Sequence, residues 1–381
     1  MKYLNYSLSK NTYIKARIGW QGLTTAEYLE TGEYYLITGT DIKNGYINFN
    51  NCVFVAKDRY CQDSHIQLQL EDVLISKDGT IGKVAFINKL PLPATLNSGV
   101  FLIRCDKAIL NQKYFYFLLQ SKLFKDFINT TSAGSTINHL YQKDITKFSF
   151  KIPADKNNQH HIVNIMESVD NLIDALKDNR NKVNCLFYGE LANHFDNCNG
   201  NAKALDELLL LKKGKQFNGD KLSSTGLYKM YNGGITYSGM LDSYNVTKDT
   251  IIISEGGNSC GFVNYIEEPF WAGGHCYYIV PNKGINKKYL FYALKYHQEN
   301  IMKLRVGSGL PNIQKKALYK FEIKLELDKE KQESIKKVFD SFQNEIETID
   351  KQIEKYEKVR EGLLNGLFTG KIDVPENYEE V

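Results

Sequence analysis

LEDVLISKDGTIGKVAFI, from Leu70 to Ile87, decides the fold, because it is written a second time as VTKDTIIISEGGNSCGFVNYI, from Val246 to Ile266. Each copy is an apolar run that ends in Ser, crosses a Gly-rich turn and resumes as a second apolar run. Outward from this pair the likeness continues. Asn111, Lys113, Tyr114, Leu119 and Gly134 recur 175 positions later as Asn286, Lys288, Tyr289, Leu294 and Gly309. A period near half the chain is too long for a solenoid and reads as two copies of one domain.

The 381 residues are 43% hydrophobic and 24% charged, enough to bury two cores without a disordered bias. No basic leader runs into an apolar segment and no stretch is long enough to span a bilayer, so a cytoplasmic protein without a membrane partner is expected. The odd set of Cys52, Cys61, Cys105, Cys185, Cys198, Cys260 and Cys276 has neither disulfide nor zinc spacing and reads as reduced thiols. Charge alternates along the chain: +6 over 1–153, −3 over 154–200, +6 over 201–327 and −5 over 328–381. A basic, aromatic-rich unit suits a polyanion, although the same excess charge also serves plain solubility.

The two acidic segments carry helical periodicity. In 154–200, Ile162, Ile165, Val169, Leu172, Ile173, Leu176, Val183, Leu186 and Phe187 fall three and four apart. In 328–381 the stripe runs through Ile335, Val338, Phe339, Phe342, Ile346, Ile349, Ile353, Tyr356, Val359, Leu363, Leu364 and Leu367. Asp155 and Asp328 are placed to cap these helices. A rod of roughly 60 Å with one apolar stripe needs a partner helix, and the nearest is the other copy, running antiparallel. The pairing residues expected are Ile162, Ile165, Val169, Ile173, Leu176 and Val183 on one side, with Ile335 to Ile353 of the second stripe on the other. The alternative is two separate amphipathic helices, each lying on its own domain. Asn179 to Asn181, Gly189 and the polar run His194 to Asn201 predict that the first helix frays or bends at its far end.

The basic segments read as α+β domains, 1–153 and 201–327. Strands are expected at 34–38, 53–56, 73–76, 83–87 and 100–104, and again at 228–231, 250–254, 261–265 and 276–280. An aromatic helix follows in each domain, 114–127 and 289–304, and its spacing favours core packing over base stacking. A Gly-Ser loop comes next, Ser132 to Thr136 in one copy and Gly307 to Gly309 in the other.

Domain, long helix, domain, long helix: this order resembles the specificity subunit of type I restriction-modification systems over essentially the whole chain. Arg17 to Leu23 with Tyr35 to Asp41 is similar to the opening of the family's first target-recognition domain. Ser76 to Gly82 is similar to its central hairpin, and Gly362 to Gly370 to the end of its second long helix. The resemblance implies a fold of two target-recognition domains separated by two long antiparallel coiled-coil helices. It also implies a non-catalytic subunit that reads a bipartite duplex DNA target, one half per domain. The expected partners are methylase subunits, two of them, which dock on the helices and use S-adenosylmethionine, and restriction subunits that use ATP and Mg. No cofactor is expected in this chain.

Catalytic motifs are missing. No two of the seven prolines are adjacent, so the Pro-Pro element of amino methyltransferases is absent, and Gly79 to Lys83 is too short for a phosphate loop. Glu322-Ile323-Lys324 has a nuclease-like spacing but reads as a solvated strand edge, and the neighbours His160 and His161 cannot share a helix face for a metal. Two rival readings stay open: a fragment of a fused restriction-methylation enzyme, and an interaction scaffold for protein or glycan.

For a DNA reader, the candidate residues lie in loops that offer polar side chains to base edges and cations to phosphates. In the first domain they are Thr38, Thr40, Lys43, Asn44, Lys77, Asp78, Thr80, Lys83, Asn97, Ser98, Ser135, Thr136 and Asn138. In the second they are Lys215, Gln216, Asn232, Thr236, Tyr237, Glu255, Asn258, Ser259, His275, Ser308 and Asn312. Glu255 to Ser259 is equally readable as a phosphate nest or as a hairpin turn.

Overall fold

The computed structural model describes residues 2–10, 12–19, 22–132, 139–217, 222–307 and 309–374. They form two compact units, Met1–Ala175 with Ile353–Val381, and Leu176–Gln352. Each unit therefore holds one α+β domain and one half of each long helix.

In the first unit an antiparallel sheet is ordered Thr12–Lys15, Val100–Cys105, Val73–Ser76, Val84–Phe86. Val73 and Ile75 face one core, with Tyr114, Phe115 and Phe150, while Leu74 faces another, with Ile37, Leu96 and Leu102. Burial on both faces explains why the strand reads as an unbroken apolar run instead of alternating. Three short strands, Val53–Phe54, Tyr35–Ile37 and Ala94–Leu96, make a second sheet, and Tyr3–Ser7 pairs with Ser149–Pro153.

The second unit repeats the plan. Its sheet is ordered Leu209–Lys213, Cys276–Pro281, Thr250–Ser254, Val263–Ile266, and Ile251 and Ile253 are buried on the opposite face from Ile252. Gly239–Leu241, Tyr228–Tyr231 and Trp271–Ala272 form its three-stranded sheet. Glu322–Lys324 pairs with Ala202–Ala204; Ile323 is buried while Glu322 and Lys324 face solvent, as the strand-edge reading expects.

Each aromatic helix is two helices, not one. Gln112–Gln120 and Lys122–Ser132 break at Ser121, whose hydroxyl donates to the Leu118 carbonyl at 2.6 Å in place of a continuing helical N–H. Lys287–Tyr296 and Gln298–Met302 break at His297, where the backbone leaves the helical region at φ −82° and ψ 5°. Tyr114 to Leu119 are all buried, so these rings pack the core.

The long helices span Lys156–Asp196 and Lys329–Phe368. Asp155 accepts from the Asn157 amide at 2.9 Å and Asp328 from the Lys331 amide at 2.9 Å, so both caps are where the sequence places them. The expected fraying is wrong up to Asp196. Leu191 and Phe195 are buried beside Phe187 and Phe339, and this packing holds the polar stretch helical. Of the pairing residues, Ile162, Ile173, Val183, Phe339, Ile346 and Ile349 are buried, while Ile165, Val169, Leu176, Ile335, Phe342 and Ile353 are partly so. Leu172, Leu186, Val338 and Val359 are exposed, which makes the stripe narrower than its periodicity suggests. Within the first unit Arg360 binds Asp170, and within the second Arg180 binds Asp350 at 2.7 Å. In each unit the pair joins the two long helices side by side.

A buried glutamine joins helix to domain in each unit. Gln159 accepts from the Asn111 amide at 2.8 Å and donates to the Ile109 and Pro153 carbonyls at 3.0 and 2.9 Å. Gln332 accepts from the Asn286 amide at 2.7 Å and donates to the Glu326 carbonyl at 2.9 Å. Asn111 and Asn286 in turn cap the first aromatic helix of each domain through their side chains. Both glutamines are at most 1% exposed.

Candidate nucleic-acid interface

In the first unit four segments converge at one end of the main sheet. The hairpin Val73–Ser76 to Val84–Phe86 turns through Gly79 and Gly82, both at positive φ. Ser76 locks this turn, its hydroxyl donating to the Thr80 carbonyl at 2.6 Å and accepting from the Lys83 amide at 2.9 Å. Lys83 reaches the Gly39 carbonyl at 3.5 Å, joining the turn to the loop that holds Thr38 and Thr40. That loop is organised by Asp41, which accepts from the Thr38 amide and hydroxyl at 2.7 and 2.8 Å; burial pushes the Asp41 carboxyl up against the lowering effect of these bonds. Asn44 and Gly45, both at positive φ, then close a tight hairpin beside the exposed Lys43.

Asn97 folds its loop by accepting from the Ser98 hydroxyl and the Gly99 amide. The backbone of Lys77 ties three segments together, its amide donating to Gly99 and its carbonyl accepting from Leu140, each at 2.9 Å. Its ammonium lies 5.2 Å from the Phe101 ring centroid. Asp78 is paired with His139, a contact that sequence reasoning missed; the only signal was the position of His139 just after the Gly-Ser loop. Ser135, Thr136 and Asn138 lie outside the described residues.

The second unit assembles the same site with different side chains. Glu255 takes the backbone role of Lys77, its amide donating to His275 at 2.9 Å and its carbonyl accepting from Ile313 at 2.8 Å. Its carboxylate is 14% exposed and already engaged, accepting from Lys213 at 2.7 Å and from the Tyr277 hydroxyl at 2.8 Å, with His275 4.0 Å away. Burial and this carboxylate hold the Tyr277 hydroxyl protonated, well above its ordinary range. Glu255 is thus an internal anchor, and Lys213, which sequence reasoning passed over, is the cation it fixes.

Gly257 at positive φ makes Glu255 to Ser259 a hairpin turn, with Asn258 exposed at its tip. Asn232 accepts from the His275 amide at 3.1 Å, and Thr236 and Tyr237 beyond it are exposed. The Lys215 amide donates to the Ala272 carbonyl at 2.8 Å, and a Cβ on Gly274 would strike the Gln216 side chain, so these segments are in close packing. Asn312 bridges Gly256. Ser308 lies outside the described residues. In both units, then, a Gly-rich turn at one end of the main sheet presents polar side chains, with Lys77 and Lys83 in the first turn and Lys213 bound to Glu255 of the second.

The model of the type I restriction modification DNA specificity domain matches the chain twice, over residues 21–184 and 201–358. The chain is 31% identical over 176 residues to a Mycoplasma genitalium protein named as a type I specificity subunit, the match taking in 46% of each chain. A Mycoplasma pneumoniae protein of the same naming is 34% identical over 175 residues, 45% of this chain and 46% of that one. In these alignments the chain spans about half the length of the curated relatives it matches. Among solved structures, the type I restriction-modification S subunit from M. genitalium matches with a TM-score of 0.62 at 20% identity, covering 98% of this chain and 97% of that one. A chain from a study of complex assembly and conformational transition of the type I system gives 0.61 at 14% identity, covering 97% and 98%.

Proposed function

Because the chain belongs to the type I restriction modification DNA specificity domain family, we propose that it reads a bipartite duplex DNA target, one half per domain. The observation that carries this reading is the repeated site. Two basic domains each present a locked Gly-rich turn, tied by the same two backbone hydrogen bonds to the neighbouring strand end and to the segment after the Gly-Ser loop. One rigid scaffold carrying two different side-chain sets, Lys77 and Asp78 in one and Lys213 and Asn258 in the other, suits two different half-sites. Lysines would neutralise phosphates while the polar loop residues address base edges in the major groove.

Chemistry on the target would belong to partners: methylase subunits, expected as a pair on the long helices and supplied with S-adenosylmethionine, and restriction subunits using ATP and Mg. The deciding experiment is to express the chain with the methylase of its own system and map every methylated base in the host DNA. Two short defined blocks at a fixed gap are expected. Methylation without a sequence pattern, or with a single continuous block, would rule the reading out.

A further inference from the structure

Leu310 is 86% exposed, more than any other large apolar side chain among the described residues. A single exposed leucine is unremarkable in itself. What sets Leu310 apart is how its backbone is held. Val306 and Asn312 exchange two hydrogen bonds, at 2.8 and 3.0 Å, and Leu310 lies two residues before Asn312. Gly307, next to Val306, is at φ +97°. Two further bonds staple the segment after Leu310 to the Gly-rich turn of the second unit: the Gly257 amide donates to the Pro311 carbonyl at 2.9 Å, and the Ile313 amide to the Glu255 carbonyl at 2.8 Å. Pro311 fixes its own φ, and Ile313 is fully buried. Leu310 is thus exposed directly beside residues held by the Gly-rich turn, which lowers the ordering entropy that opposes its contact with a ligand. The chain around it is cationic: Arg305 comes before Leu310 and Lys315 and Lys316 follow it, all exposed.

An apolar side chain between cations, on the edge that also carries Asn258 and Asn312, has a natural counterpart in duplex DNA. The major groove offers one apolar group, the C5 methyl of thymine, flanked on both sides by phosphates. We propose that Leu310 is a specificity-determining residue that packs against a thymine methyl in one half of the target. This rests on the DNA-reading function proposed above and adds to it a base identity that no hydrogen-bonding residue supplies.

The test uses the chain assembled with its methylase partners, on the target defined by methylation mapping. Each thymine is replaced in turn by deoxyuridine, which removes only the methyl, and binding is measured for the wild type, Leu310→Ala and Leu310→Met. At one thymine the wild type should lose about fourfold in affinity, the equivalent of ~0.8 kcal/mol for one buried methyl. Leu310→Ala should bind the natural target more weakly and be indifferent to that replacement, while Leu310→Met should keep the discrimination. A target without thymine in either half overturns the proposal, as does a deoxyuridine profile identical in the wild type and Leu310→Ala. Both results leave DNA recognition standing; failure of the wild-type complex to prefer its target over unrelated duplex would instead remove the reading on which the proposal rests.

Discussion

Gln159 and Gln332 show how much one side chain decides. Each is buried on a long helix and satisfies groups that the start of an aromatic helix and the preceding loops leave unpaired. Replacing Gln159 by Leu keeps the volume but strands the Asn111 amide and two carbonyls. Burying such groups without partners costs about 1 to 3 kcal/mol each before relaxation and water entry, so Gln159→Leu should lower unfolding free energy by ~3 kcal/mol in urea titration; an unchanged midpoint would show that water replaces the glutamine. Lys295 is the opposite case, a cation that burial disfavours. Its ammonium lies 4.1 Å from the Phe262 ring centroid and donates to the Val263 carbonyl and to Gln298, and desolvation lowers it to about 8 from 10.5. Between those values the unfolded chain holds the proton more tightly than the folded one, so this group makes stability rise with pH across that window. Lys295→Met should therefore be most favourable relative to wild type below pH 8 and lose that advantage as pH rises towards 10.5. Parallel denaturation curves at both ends would contradict this. Neither residue was legible in the sequence, because burial of a lone polar side chain follows from tertiary packing that no local pattern encodes.

At the scale of elements, the periodicity located both long helices and their caps, and misjudged which positions they bury. Leu186 lies in the apolar pattern yet is 64% exposed, whereas Leu191 and Phe195, embedded in a polar stretch, are core. A stripe at three-and-four spacing states that a helix has an apolar side; the width of that side is set by what packs on it. Ile173→Glu or Ile349→Glu, at buried positions, should cost several kcal/mol through an unpaired carboxylate, and should lower thermal stability together with methylase assembly. Leu186→Glu should leave the melting temperature within the small range of surface substitutions. Equal melting of Ile173→Glu and Leu186→Glu would mean that the helices do not depend on the buried stripe. Three strands of each main sheet were legible because burial on both faces writes them as apolar runs, while the outer strands Thr12–Lys15 and Leu209–Lys213 were not. Short strands such as Thr12–Lys15 and Ala94–Leu96 were missed, since three or four residues carry too little pattern. The breaks at Ser121 and His297 were hidden because neither residue is a Gly or Pro.

For the whole molecule, the duplication visible in the first reading extends to the contacts themselves: the capping asparagine, the buried glutamine and the tie from turn to loop all occur twice. Loop residues were recognisable as a set, while their separate roles, Glu255 as an anchor above all, depended on partners distant in sequence. Three outcomes belong to this scale. Affinity for duplex should fall steeply between 50 and 200 mM salt, roughly tenfold or more, as lysines release counterions from phosphates; a flat response would exclude phosphate contacts by the basic domains. Exchange of residues 201–327 for the matching segment of a relative should alter one block of the methylated sequence and spare the other, and a change in both blocks would show the two domains to be coupled. Insertion of one heptad in each long helix should lengthen the gap between blocks by about three base pairs, from ~10 Å of helical rise; an unchanged gap would exclude the helices as the spacer.

The first unit closes its core with Leu364, Leu367, Phe368 and Val374, which pack with Ile162, Val163 and Met166. Between Ala175 and Ile353 the ribosome must make the entire second unit, which takes roughly 10 to 40 s at ordinary elongation rates. Throughout that interval the nascent first domain stands with an open apolar seam, available to chaperones and proteases. A premature stop or frameshift anywhere before Leu364 would therefore spoil the half that was translated correctly as well as the half that was not. Truncation before Leu364 should leave residues 1–175 more open to limited proteolysis than in the full chain, and equal protection would show that the first core closes without the end of the second long helix.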